Sequence, residues 1–390
     1  MSFFKEYEKI ITNLCFLKGK FRLLFNHFKK IFTDKLLIIS FAVLLLVNLV
    51  GRMRITDIDW ATIGTLFSLM VVIQLMNGLN ILRVISDRLI KVVKNSRQFA
   101  QLMVVVAFIG AMGMTNDVAI ISILPLYLFT ANQYRLPILM PATLITIAAN
   151  LGSVLTPFGN PQNLFLFSDY HFSGANFFVI TTPIVLVSLI LTLLLTLWIP
   201  KNALVINEKS VQLGGTIPLL VTSLLAVVVL AGVFNWLPIP LTVIAAIIVA
   251  WLIDRHQLWN VDYSLLLTFA CFFLIAGILS RNEFINEHLA ALMRNATGTY
   301  LTGIGVSQII SNVPAAVLLS NFTGNGAALL LGVNVGGLGT LVASLANLLA
   351  LKQVSTFNKA ATVKFIQLFT LLNVILLIIL GFIGWLMLII

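Results

Sequence analysis

Asn150-Leu-Gly152-Ser153-Val-Leu-Thr156-Pro157-Phe-Gly159-Asn160-Pro161-Gln-Asn163-Leu164 reads, without a gap, against Asn334-Val-Gly336-Gly337-Leu-Gly339-Thr340 and on to Asn347-Leu348. Leu and Val matches between two apolar stretches are chance. Asn, Gly and Thr in register inside such stretches point to an internal repeat. Glycine lets backbone approach closely and proline removes a donor, so each stretch reads as a helix broken in its middle. A second match lies upstream, where Ile58-Asp59-Trp60 reads against Val261-Asp262-Tyr263, each opening an apolar run.

The setting of these broken segments is a bilayer. Hydrophobic residues make up 60% of the 390-residue chain and charged residues 9%, against about 25% charged in soluble domains. A crossing helix needs about 20 apolar residues. The spans read at roughly 36–50, 59–80, 138–168, 174–199, 217–235, 239–253, 263–280, 325–351 and 361–388. Two further apolar segments carry polar centres: 99–130, around Met114-Thr115-Asn116-Asp117, and 300–322, around Ser311-Asn312-Val313-Pro314. Their arms look too short to cross, and polar tips are costly in lipid unless protein covers them. Both are therefore expected to be re-entrant hairpins.

The fold class expected is an all-α polytopic membrane protein with two inverted-topology repeats, each holding a re-entrant hairpin and a broken transmembrane helix. The divisions are a basic N-terminal segment at 1–35, a first repeat at 36–199 (hairpin about 99–130), a linker with a connecting helix at 200–238, and a second repeat at 239–390 (hairpin about 300–322). An odd number of crossings before the second repeat inverts it. Inverted repeats with broken helices at the midplane are a sequence sign of secondary transporters.

Basic residues fix the orientation expected. With the N-terminus in the cytoplasm, nearly all lysines and arginines fall inside, and Arg52, Arg54, Arg281 and Arg294 fall outside, as the positive-inside rule demands. The C-terminus then ends outside, in a bacterial-type inner membrane. The net charge of +11 thus belongs to inter-helix loops, and no nucleic-acid partner is expected. Phe3, Tyr7, Ile10, Leu14, Leu17 and Phe21 recur at helical spacing among lysines. That pattern predicts an amphipathic helix on the anionic leaflet, with membrane lipids as its partner; a partner subunit is the rival. The segment lacks the pattern of a cleavable signal peptide.

Broken helices leave free N–H groups that attract anions and free C=O groups that suit a hard cation. Asp117 is the single carboxylate placed deep in the membrane, where its charge is costly. It would ligate sodium or carry a proton; the structural alternative is a cap on a half-helix. Asp59 and Asp262, at span starts, read as caps. Cys15 and Cys271 are far apart and define neither a disulfide framework nor a zinc site. Nor do the four histidines form a reactive pair, so no enzyme and no cofactor is expected.

Thr115-Asn116-Asp117, the Asn150–Asn163 stretch with its Gly-Asn-Pro-Gln-Asn, and Ser311-Asn312-Val313-Pro314 together resemble the ion transporter superfamily of divalent anion/sodium symporters, citrate carriers, arsenite permeases and sodium/proton antiporters. The resemblance implies a homodimeric, elevator-type secondary carrier for a small anion, a carboxylate or inorganic oxyanion, coupled to Na+ or H+. Carried over by position, with the loop's own Asn160 added, the substrate-binding residues would be Thr115, Asn116, Asn160, Ser311, Asn312 and Thr340. The cation-coupling residues, where Na+ would sit, would be Asp117, Asn116, Gly152, Ser153, Asn312, Gly336 and Gly337. Asp117 stands where the symporter pattern has threonine, and Val313-Pro314 also departs from it. Asn116-Asp117 is closer to the arsenite permease branch, so an arsenite efflux permease or a Na+/H+ antiporter is the alternative function.

Overall fold

A computed structural model describes residues 33–49, 51–80, 93–203, 214–234 and 236–389. The amphipathic segment expected at 1–35 lies almost entirely outside them, as do the basic residues Arg83, Arg88, Lys91 and Lys209. The described chain is helical, apart from one isolated antiparallel bridge between Asn95 and Ala203.

The first half runs α1 (Lys35–Val47), α2 (Trp60–Gly78), α3 (Ser96–Gly113), α4 (Asn116–Tyr134), α5 (Leu139–Gly152), α6 (Pro161–Asp169) and α7 (Gly174–Leu195). After α8 (Thr216–Val233) come α9 (Ile239–Asp254), α10 (Tyr263–Ser280), α11 (Glu283–Leu292), α12 (Ala296–Ile310), α13 (Asn312–Leu319), α14 (Gly326–Val335), α15 (Leu345–Phe357) and α16 (Thr362–Met387). Six described helices are long and apolar enough to cross a membrane by length and composition.

Five of those six fall on expected spans. The sixth is α3, which sequence reasoning treated as a hairpin arm too short to cross. It has 18 residues and its partner α4 has 19, about 27 Å each at 1.5 Å per residue. The arms of the second pair, α12 and α13, have 15 and 8 residues. The expected length limit thus fails for α3, whose helix runs back past Phe99 through Gln98, Arg97 and Ser96, whereas the apolar part of α4, Asn116–Asn132, stays among the shorter apolar helices.

Local chemistry explains where helices start. Asp59 Oδ1 accepts from the N–H groups of Ala61 (2.9 Å) and Thr62 (3.0 Å), and Asp262 Oδ1 accepts from Leu265 N (3.1 Å). These are N-caps, as their positions predicted. Asn95 and Asn295 cap α3 and α12 in the same way, accepting from Gln98 N and Gly298 N.

The two helix pairs are anchored at opposite ends of α7. The start of α3 is tied to the chain after α7, through Ser96 Oγ to the Pro200 carbonyl (2.6 Å), Arg97 Nε to the Ile199 carbonyl (2.6 Å) and Gln101 Nε2 to Thr196 Oγ1 (2.9 Å). The end of the α12–α13 pair is tied to the chain before α7, through the Tyr170 hydroxyl to the Thr323 carbonyl (2.8 Å).

Helices also pair crosswise between halves. α1 packs on α10 while α2 packs on α9; α4 packs on α15 while α13 packs on α6. One buried apolar cluster accordingly joins Phe99, Phe108 and Tyr127 to Ala350, Val354 and Phe365. The other joins Leu164 and Leu166 to Phe269, Ala315 and Leu319.

A bidentate ion pair locks the loop after α1 to the end of α10. Arg281 donates to both Asp57 carboxylate oxygens, at 2.8 and 2.9 Å, and to the Arg52 carbonyl at 3.0 Å. The Arg281 hydrogen bonds hold the Asp57 carboxyl below its ordinary value. A lowered folded-state pKa stabilises the fold above the unfolded value of about 3.9, and that contribution fades as pH falls through the lower folded value. Arg281→Leu is expected to lower stability by about 1 kcal/mol at pH 7. Detergent unfolding midpoints should show the gap to wild type closing below about pH 4.

Candidate functional site

Both broken helices break where the repeat predicts. α5 ends at Gly152, a single 3-10 turn spans Ser153–Leu155, and α6 begins at Pro161 with Asn160 as its cap, accepting from Asn163 N at 2.8 Å. Proline at the first helical position needs no donor. In the second half α14 ends at Val335 and α15 starts at Leu345. A Cβ at Gly152 would collide with the Phe108 carbonyl, so that glycine permits α3 and α5 to touch. Gly339, at φ +95°, turns the second break.

Hydrogen bonds around the two breaks match pair by pair in the register that sets Asn150 against Asn334 and Asn116 against Asn312. Asn116 N donates to the Gly159 carbonyl and Asn312 N to the Ala343 carbonyl, both at 2.9 Å. Thr156 Oγ1 donates to the Met112 carbonyl (2.7 Å) and Thr340 Oγ1 to the Gln308 carbonyl (3.2 Å). Asn163 Nδ2 donates to the carbonyls of Ser153 and Thr156, and Asn347 Nδ2 to those of Gly337 and Thr340. Two further pairs cross between halves. Asn150 Nδ2 donates to Asn347 Oδ1 and Asn334 Nδ2 to Asn163 Oδ1, both at 2.6 Å. Ser344 Oγ reaches Asn150 Oδ1 (3.2 Å) and Asn160 Nδ2 reaches Asn334 Oδ1 (3.1 Å).

This buried network holds four helix N-termini against one cavity of ≈ 520 Å³. Asn116 and Asp117 of α4, Pro161 and Gln162 of α6, Asn312 of α13, and Ser344 and Leu345 at the start of α15 all line it. Each N-terminus carries about half a positive unit charge. Among the described residues no Lys, Arg or His lines the cavity.

Two side chains there are incomplete. Gln162 is 2% exposed, and its Oε1 has no hydrogen-bond partner. Asp117 is 8% exposed, and its carboxylate has no hydrogen-bond or ion-pair partner among the described residues. It does not cap α4: the cap position is Thr115, which makes no side-chain cap bond. The chain at the other tip is strained, with Ser311 at φ 75° and ψ 151°. A non-glycine residue held there costs about 1–3 kcal/mol and persists where the surroundings enforce it.

Of the residues singled out from sequence, Asn116, Asp117, Ser311 and Asn312 reach the cavity. Thr115, Asn160, Gly152, Ser153, Gly336 and Gly337 form the framework behind it. The carbonyls of Ser153, Gly337 and Gly336 already accept from Asn163, Asn347 and Gln308. Thr340 sits on the Gln308 clamp, away from the lining. Gln162 and Ser344 line the cavity and were not singled out. Ser344 aligns with Asn160 in the repeat, and that register could have found it. The hard oxygens of Asp117, Gln162 Oε1, Ser311 and Asn312 are of the kind Na+ accepts.

Many apolar helices, several of span length, around a largely apolar cavity that four helix N-termini also line, fit a multi-pass membrane transporter. The chain belongs to the CitMHS (citrate transporter) family, whose model matches residues 30–327. It is 35% identical over 322 residues to an uncharacterized transporter of Methanocaldococcus jannaschii, covering 81% of this chain and 88% of that protein. It is 33% identical over 301 residues to the inner membrane protein YbiR of Escherichia coli, covering 76% and 80%. Among solved structures, the Alcanivorax borkumensis YdaH transporter aligns with a TM-score of 0.46 at 13% identity, over 84% of this chain and 85% of that one.

Proposed function

We propose that this protein is a secondary active carrier of a small anion, coupled to Na+ or H+. One observation carries the reading: four helix N-termini and an unpartnered carboxylate face the same cavity. The N-termini favour an anion. The Asp117 carboxylate opposes it, because two like charges a few ångströms apart in a weakly polarisable interior repel strongly. Binding a proton or a cation at Asp117 removes the conflict. Anion and coupling ion then bind cooperatively, and cooperative binding is coupling.

The two halves are read as inverted repeats, at 36–199 and 239–390, and the matched hydrogen bonds support that division. An elevator-type motion of the network against α1, α2, α9 and α10, in a homodimer, is the mechanism proposed. The N-terminus is placed in the cytoplasm and the C-terminus outside a bacterial-type inner membrane, on the lysine distribution. The protein is read as a carrier on its membership of a transporter family.

The test is counterflow of radiolabelled anions in proteoliposomes with an imposed sodium or pH gradient. Accumulation that follows one of the gradients is the expected result. Indifference to both gradients across carboxylates and inorganic oxyanions would remove the reading.

A further inference from the structure

We infer that the preferred substrate is an amphipathic monoanion: one carboxylate-type head on an apolar body, in place of a compact polyanion. The inference rests on the carrier reading above and names its substrate class.

Charge is the first ground. Four N-termini supply about two positive unit charges. Asp117 offsets one of these while it is ionised; with the coupling proton or cation bound there, about two face the substrate. With no Lys, Arg or His among the described residues of the lining, a trianion would bring at least one charge without a partner into a site where it is expensive.

The shape of the cavity is the second ground. Its polar groups gather at one end, where Asn116, Asp117, Gln162, Ser311, Asn312 and Ser344 meet. The remaining wall, Ser40 on α1 apart, is apolar and comes from α1, α10, α12, α13 and α15 with the chain before it, through Val43, Phe269, Phe272, Ile309, Leu318 and Leu348 among others. At ≈ 520 Å³ the cavity lies within the range of about 300–1,000 Å³ that holds drug-sized ligands. A small oxyanion would occupy the polar end and leave the apolar walls without contacts. The unpartnered Gln162 Oε1 stands at that polar end. It would help to hold the coupling cation beside the carboxylate head.

Ile309 is 75% exposed and Val342 48%, so the mouth of the apolar end is itself apolar. In a bilayer that mouth meets acyl chains. An apolar tail can approach through it, while a polyanion cannot.

The experiment uses the full-length protein, purified in a neutral detergent and titrated with acetate, butyrate, hexanoate, phenylacetate, succinate, citrate and inorganic phosphate. Dissociation constants are read from ligand-induced shifts of the unfolding midpoint. Affinity should rise about threefold to fourfold per added methylene from acetate to hexanoate, from the transfer free energy of a methylene. Phenylacetate should bind more tightly than citrate. In Phe272→Ala, and in Leu348→Ala should the first variant fail to fold, the chain-length slope should flatten, with acetate changing least.

A flat chain-length series, as if lipid or detergent already filled the apolar end, would overturn the inference and leave the carrier reading standing. So would succinate or citrate binding more tightly than every monocarboxylate. If neither the carboxylates nor phosphate bind, the carrier reading falls and the inference falls with it.

Discussion

Asp117→Asn is expected to abolish gradient-driven accumulation while the protein still folds and still exchanges anion down its own gradient. The side chain sits in the first turn of α4, inside the cavity, and neither donates to nor accepts from another described residue. Its removal therefore breaks no structural bond. Replacing an unpaired, desolvated carboxylate by a neutral amide should leave stability level or slightly raised, since the charged form is the costly one there. Function should respond in the opposite sense. The carboxylate is the one charged group among the described residues that line the cavity, so it is the place there where a proton or sodium can change the electrostatics felt by an anion. Coupling free energies between linked sites run at about 1–3 kcal/mol, so accumulation driven by a gradient should fall by about 5-fold to 150-fold. Anion affinity in the absence of the coupling ion should rise, because the repelling charge is gone. Counterflow with and without gradients, on the same proteoliposomes, separates the two effects. A variant that keeps wild-type sodium or pH dependence would take Asp117 out of the mechanism.

Much of this architecture can be read from sequence, and the reason is chemical. Asn, Gly, Thr and Pro are conspicuous in an apolar helix, so the breaks at Gly152 and Gly336 and the tips at Asn116 and Asn312 announce themselves. Capping aspartates do the same at Asp59 and Asp262. Apolar residues carry no such signal. The pairing of α4 with α15 and of α13 with α6 depends on which Leu, Val and Ala faces interlock, and nearly any apolar face satisfies composition. The length of α3 is hidden for a related reason: its helix continues through Ser96 and Arg97 because anchors at 199–202 satisfy their polar groups, while Gln98 is held by Lys94 N and Asn95. The assignment of Ser153, Gly336 and Gly337 by position could not tell a carbonyl facing the cavity from one that already accepts from Asn163, Gln308 or Asn347. Gln162 hid in plain view, between a proline and an asparagine whose structural duties are easier to name.

The largest losses of stability are expected from substitutions in the asparagine network, where a double substitution should cost less than the sum of its two singles. Asn150 donates to Asn347 at 2.6 Å and accepts from Asn116 (3.0 Å) and Ser344 (3.2 Å). Asn150→Leu strands three buried polar groups, each costing about 1–3 kcal/mol, so the single variant should lose about 3 kcal/mol or more. Asn347→Leu frees the Gly337 and Thr340 carbonyls and the Asn150 amide, with a similar loss. In the double variant the shared bond is removed once and not twice, and two leucines can pack where two amides faced each other. Its loss should fall short of the sum by about 1–3 kcal/mol, the coupling found for residues in one hydrogen-bond network. The register of the repeat makes a second cycle available. Asn334 and Asn163 carry the corresponding bond, again at 2.6 Å. If the two halves share the load as their matched hydrogen bonds suggest, both cycles should return coupling of the same sign and similar size. Denaturant unfolding of the seven proteins in mixed micelles measures it. Additivity within about 0.5 kcal/mol in both cycles would mean that the crossed asparagines do not tie the halves together. Coupling in the first cycle alone would place the tie on the Asp117 side. The network is then asymmetric in energy even though it is matched in geometry, and the two hairpin tips would not be expected to move as one body.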